Sequence, residues 1–217
     1  MRSYHQHQAE TTGNRTTRVM RLAVLISGSG RTLENFLKVI GRGELNAQVA
    51  IVVSSVPGVR GLEIARNAGV PAVTLTRRSY ASETDYSDAI YAALESYQPD
   101  LILLAGFLRK LVVPAHLAGR ILNIHPALLP ESDAAGPGFY GERVHAAVLA
   151  SGAVESGATV HVVDNGYDTG PVVLKTRVSI MPGDTPESLA ARVFEAECSL
   201  YPEAVRQYVA SHPELFE

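Results

Sequence analysis

The sequence predicts an α/β fold: a Rossmann-like, mostly parallel twisted sheet with helices on both faces, finished by C-terminal antiparallel strands and a long closing helix. Three observations predict it. Apolar runs of strand length recur along the chain, the segments between them carry apolar residues at helical spacing, and the last third changes to paired runs joined by a glycine-rich turn.

The first five runs are RLAVLIS (21–27), VAIVVSS (49–55), PAVTL (71–75), DLILLAG (100–106) and RILNIHP (120–126). Continuous Val, Ile and Leu of this kind suits strands buried on both faces. Between them, LENFLKVIGRG, GLEIARNAG and YSDAIYAALESY repeat apolar residues every three or four positions, and two of these end near glycine, as helices commonly do. ATVHVVD and PVVLKTRVSI, separated by NGYDTG, read as paired strands. TPESLAARVFEAECSLYPEAVRQYV reads as the closing helix, opened by Thr185 as cap, Pro186 in its first turn and Glu187 at its positive end.

Of the 217 residues, 46% are hydrophobic and 19% charged, enough apolar material for one substantial core, so residues 19–217 are expected to form a single domain. Residues 1–18 are polar, lack apolar periodicity and do not resemble a signal sequence; a flexible extension is expected there. No apolar run reaches the roughly 20 residues of a membrane span, so a cytoplasmic protein is expected. The net charge of −3 offers no general attraction to nucleic acid, and the single Cys198 excludes an internal disulfide or a multi-cysteine metal site. The expected partners are small molecules, with no nucleic acid and no membrane, bound by a monomer or homodimer.

Ligands of open parallel sheets sit outside the carboxyl ends of the strands, which selects residues 27–32, 106–109 and 123–126. SGSGRT (27–32) leaves the first strand and opens the first helix, where unpaired N–H groups and small residues suit either a phosphate cradle or a simple tight turn. It is not a Walker loop, and Leu33 stands where a dinucleotide fingerprint needs its third glycine, which disfavours a dehydrogenase. In NIHPALLP (123–130), strand alternation turns Asn123 and His125 to one side. An amide donor beside an imidazole suits oxyanion stabilisation and proton exchange, although a lone histidine also serves to satisfy buried backbone groups. Asp164 and Asp168 lie in a glycine-rich loop that either residue suits as a turn former. His161, flanked by apolar neighbours in a strand, reads as a structural or supporting residue.

Residues 21 to about 210 resemble the folate-dependent formyltransferase family. The resemblance rests on an ordered set: the SGSG loop, LAGFLRKL (104–111) leading into NIHPALLP, SGATVHVVDNGYDTGPVV, GDTPESL and EAECSLYP. It implies transfer of a formyl group from 10-formyltetrahydrofolate, as co-substrate and without a metal, to the amine of glycinamide ribonucleotide in purine synthesis. It further implies Asn123, His125 and Asp168 as the catalytic trio, with Asn123 and a protonated His125 at the oxyanion and Asp168 orienting His125 or a relaying water. Ser29, Gly30, Arg31 and Thr32 are implied at the ribonucleotide phosphate and Glu197 at the ribose or glycinamide. The folate slot falls to Phe107, Leu108, Arg109, Leu111, Val163 and Asp164. Three departures stand out. ESDAAGPGFYGERV is a long loop, the phosphate turn reads Ser-Gly-Arg-Thr, and Glu83 stands where relatives can place a phosphate-binding arginine, so Arg31 or Arg60, rather than Arg77 or Arg78, is expected to supply the charge. Other formyl-transfer enzymes acting on a sugar amine, a methionyl-tRNA or water, and a non-catalytic folate or nucleotide binder, are the competing readings.

Overall fold

The computed structural model describes residues 18–136 and 138–216, so the extension expected over residues 1–18 lies outside the described residues except for Arg18, whose guanidinium pairs with Asp100. Seven strands form one sheet: β1 (Met20–Ile26), β2 (Ala47–Ser54), β3 (Ala72–Thr74), β4 (Leu101–Leu104), β5 (Ile121–His125), β6 (Glu155–Val162) and β7 (Val172–Ser179). Their spatial order is β3-β2-β1-β4-β5-β6-β7. The first five run parallel, and β6 and β7 are antiparallel to their neighbours. The predicted fold class is borne out.

Alternation along β1 explains the layers. Leu22, Val24 and Ile26 face the helices α1 (Arg31–Gly41), α2 (Arg60–Asn67) and α5 (Pro186–Ser211), while Ala23 and Leu25 face α3 (Glu83–Glu95). All five of these β1 side chains are fully buried, as a central parallel strand covered on both faces requires. Helix α5 starts as its sequence predicts: Thr185 accepts the Ser188 N–H, Ser188 returns the bond, and Pro186 occupies the first turn. It runs through Pro202 without ending there. One helix was not expected. α4 (Glu142–Ala150) follows the glycine-rich stretch and packs Val144 and Val148 into the core beside β6. Among the described residues no helix is long and apolar enough to cross a membrane.

Candidate active site

A cavity of about 860 Å³ opens at the carboxyl ends of β1, β4 and β5, where an open parallel sheet leaves its strand ends uncovered. The turn from β1 into α1 forms one wall. Gly30 caps α1 at φ 70°, a left-handed conformation that a residue without a Cβ adopts freely. Space demands glycine there as well, because a Cβ would meet Gly61 Cα at 2.5 Å. The start of α2 thus nests against the turn, with the Gly61 N–H donating to the Gly28 carbonyl at 3.2 Å. Arg60 holds the Ser29 carbonyl at 3.3 Å while paired with Glu34 at 3.0 Å. Clamped in this way, the turn presents the unpaired N–H groups of the α1 start beside Ser29, Gly30, Arg31 and Thr32 in the cavity wall.

Helix α5 supplies the facing wall. The Arg31 guanidinium lies over the Phe194 ring, 4.0 Å from its centroid, a cation–π arrangement that holds the charge in the cavity. One turn on, the Glu197 carboxyl sits deep enough that burial pushes its pKa up to about 7, with Arg31 pulling the other way. Asn35 donates to the Cys198 carbonyl at 2.7 Å, and the Tyr201 hydroxyl donates to the Leu122 carbonyl at 2.8 Å. These bonds fix α5 against α1 and the end of β5.

The segment after β4 makes the apolar side. Phe107 and Leu111 are buried, Phe107 stacking near Tyr86 at 6.5 Å, whereas Leu108 stays exposed beside Arg109. Asn165 exchanges two bonds with the Val113 backbone, at 2.8 and 3.3 Å, tying this segment to the loop after β6. In that loop the Asp164 carboxylate accepts the Gly166 N–H at 2.9 Å and the Thr169 hydroxyl at 2.8 Å, so its side chain is occupied in shaping the turn.

Polar groups gather on the floor. Asn123 on β5 pairs in register with His161 on antiparallel β6, which sets both side chains on one face. The Asn123 amide lies 3.1 Å from His161 Nε2 and 3.5 Å from Asp168 Oδ1. The Val162 carbonyl, which only accepts, takes the His161 Nδ1 hydrogen at 3.0 Å and leaves Nε2 to receive Asn123. Asp168 is held at φ 54°, an uncommon conformation for a residue with a side chain. Its Oδ2 accepts the Gly136 N–H at 3.1 Å and lies 3.6 Å from His125 Nδ1. Burial would raise the Asp168 carboxyl, but His161, His125 and the Gly136 N–H outweigh it and hold the pKa below the ordinary value.

The His125 Nε2–H donates to the Ala134 carbonyl at 2.8 Å. Burial lowers its pKa, opposed by the Asp168 carboxylate. Both ring nitrogens thus face acceptors, Nε2 the Ala134 carbonyl and Nδ1 the Asp168 carboxylate.

Every residue singled out from the sequence as catalytic, ribonucleotide-binding or folate-binding lines this cavity. The expectation built on Glu83 needs correction. Glu83 opens α3 on the other face of the sheet and is absent from the cavity lining, so no carboxylate there opposes a phosphate. Arg31 lines the cavity; Arg60 does not, being turned to Glu34. His161, read from sequence as supporting, touches both Asn123 and Asp168. Sequence reasoning missed Phe194 and His145, the latter buried on α4 with its pKa lowered to about 4 by burial and by His125. Phe194 stands one helical turn before Glu197, a spacing that was available as a signal.

Comparison with known proteins places this architecture. The family model described as formyl transferase matches residues 20–205. The trifunctional purine biosynthetic protein adenosine-3 of Gallus gallus is 38% identical over 211 residues, covering 96% of this chain and 20% of that protein. The chain spans only 13–20% of the length of the first trifunctional relatives it matches. Phosphoribosylglycinamide formyltransferase of Escherichia coli (strain K12) is 36% identical over 185 residues, 84% of each chain. The crystal structure of glycinamide ribonucleotide transformylase 1 from Symbiobacterium toebii superposes with a TM-score of 0.82 at 38% identity, covering 89% of both chains.

Proposed function

This chain belongs to the formyl transferase family, and we propose that it transfers the formyl group of 10-formyltetrahydrofolate to the amine of 5'-phosphoribosylglycinamide, a step of purine nucleotide synthesis. One observation supports this reading above the rest: a single cavity joins an anion-suited turn at Gly28–Thr32, an apolar strip at Phe107–Leu111 and, between them, Asn123, His125 and Asp168. The ribonucleotide phosphate would lie at the turn, its glycinamide end toward Glu197 and the trio. The folate would enter along Phe107, Leu108, Arg109 and Leu111, with the backbone at Val163 and Asp164 as its far edge. Phe107, Leu108 and Leu111 offer apolar surface to a flat ring system beside the Arg109 and Lys110 charges, and the folate supplies an activated formamide carbon.

The amine attacks that carbon, forming a C–N bond and a tetrahedral species with negative oxygen and positive nitrogen. One Asn123 hydrogen is engaged by His161, and the other, which makes only a long 3.5 Å hydrogen bond from Nδ2 to Asp168 Oδ1, turns from it to the oxyanion. Neutral His125 takes the ammonium proton, and the Asp168 carboxylate beside Nδ1 compensates the imidazolium while it exists. His125 then returns the proton to the folate nitrogen as the bond from carbon to that nitrogen breaks. The proposed working form is a cytoplasmic monomer or homodimer. Production of deformylated folate, followed spectrophotometrically with and without the ribonucleotide, tests the assignment; turnover independent of the ribonucleotide, or none with it, would rule it out.

A further inference from the structure

Ser27 follows β1 directly, half-buried in the cavity wall between the Gly28–Thr32 turn and Leu108. Its Oγ accepts the Leu108 N–H at 2.9 Å and shares a 2.6 Å hydrogen bond with the Ser55 hydroxyl at the end of β2. The direction of that short bond follows from counting. A serine hydroxyl has one hydrogen and two lone pairs. Ser55 is 1% exposed and has no other side-chain partner among the described residues. If Ser27 donated, the Ser55 hydrogen would be buried without an acceptor, and a buried orphan donor carries its full desolvation penalty. Ser55 therefore donates. Both lone pairs of Ser27 are then filled, by Leu108 N–H and Ser55 O–H, and its own hydrogen has only the cavity to face. The side of Ser27 toward the apolar strip is already taken by Leu108, which leaves the hydrogen on the side of the glycine turn.

We propose that Ser27, oriented by Ser55, is an additional donor to the phosphomonoester of the ribonucleotide substrate, a ligand that offers only acceptors at this turn. Ser55 is a positioning residue that acts through Ser27 and does not touch the ligand. The inference rests on the functional reading given above and deepens it at the phosphate end of the cavity.

Calorimetric titration with inorganic phosphate reads this hydroxyl without turnover. A hydrogen bond to a charged group predicts about tenfold weaker phosphate binding in Ser27→Ala. Ser55→Ala should weaken it about two- to threefold, because the donor remains but is no longer aimed. In the double variant, Ser55→Ala should add nothing. Ser27→Thr, which keeps the hydroxyl, should return most of the affinity and exclude mere loss of packing. In steady state, Ser27→Ala should raise KM for the ribonucleotide about tenfold with KM for the folate within about twofold. Wild-type phosphate affinity in Ser27→Ala, a further loss on adding Ser55→Ala, or a rise confined to the folate KM would overturn the proposal. Wild-type protein that fails to turn over the ribonucleotide would overturn the functional reading instead.

Discussion

The two halves of the cavity are built from different materials. The parallel half, around β1, α1 and the start of α2, presents mainly backbone: glycines packed so closely that a side chain does not fit, and N–H groups at the start of a helix. The antiparallel half, around β5 and β6, presents polar side chains, Asn123, His125, His161 and Asp168, that contact one another. Backbone groups spread recognition over many weak contributors, and no single side-chain truncation removes them. Side chains concentrate function in atoms that one substitution deletes. Loss on truncation should therefore be steep in the second half and shallow in the first.

The largest expected effect tests the steep side. Asn123→Ala and His125→Ala should each lower kcat by about a hundredfold to a thousandfold, the usual scale for removing one transition-state donor. Neither should alter ribonucleotide KM comparably, because their contacts form as the tetrahedral species forms. Turnover within tenfold of wild type for either purified, folded variant would break the comparison.

The second test strikes the shallow side where it is least tolerant. Gly30→Ala would place a Cβ 2.5 Å from Gly61 Cα, and backbone at both ends leaves nothing flexible to yield. Positive φ adds about 1 kcal/mol of strain for a residue with a side chain. The variant should melt several degrees lower, on a scale of about 2–4 °C per kcal/mol at this chain length, and lose ribonucleotide affinity. Gly28→Ala is the control. Its Cβ would meet nothing within 4 Å, and its thermal midpoint should stay close to wild type.

The same division governs how much the sequence disclosed. The parallel half is local in sequence: a strand run, SGSGRT and a helix pattern adjoin, so strand, turn and helix were all legible, as was the cavity role of residues 29–32. Asn123 and His125 were legible too, because alternation within one strand aligns them. His161 was legible only as a structural or supporting residue, since its place opposite Asn123 is set by antiparallel register between residues 38 positions apart. Helix α4 was hidden because the Gly-Pro-Gly stretch before it reads as loop. The choice between Arg31 and Arg60 turns on Phe194 and Glu34, a contact across α5 and a pairing across α2 that no spacing reveals.

That choice gives the third test. An ion pair near a protein surface contributes up to about 4 kcal/mol at close range and much less when solvated. Arg31→Met should raise ribonucleotide KM about tenfold with little change in folate KM. Arg60→Met should change it at most about threefold, since Arg60 supports the turn from behind, and its charge is shared with Glu34. Equal effects from the two arginines would show that the phosphate end draws on long-range charge rather than on the Arg31 guanidinium.

The smallest expected effect lies where the halves meet, at Glu197. Burial raises its pKa to about 7 from an ordinary value of 4.5, so the folded chain holds a proton there that the unfolded chain has released. The sign follows from linkage. Where the folded state binds more protons, stability falls as pH rises, so the contribution of Glu197 is fully present below about pH 4.5, declines between 4.5 and 7, and is gone above 7. Glu197→Gln keeps the shape and the donor but cannot ionise. Its thermal midpoint should therefore fall less than that of the wild type between pH 5 and pH 8, by a few degrees at most on the scale of about 2–4 °C per kcal/mol. Arg31 supplies the cross-check, because its charge is what draws the carboxyl down toward its ordinary value. In an Arg31→Met background the Glu197 pKa should rise further, and the decline in stability should extend above pH 7. Parallel pH profiles for wild type and Glu197→Gln would mean that the carboxyl ionises without cost, and the wall between Arg31 and α5 would then be as wet as the rest of the phosphate end.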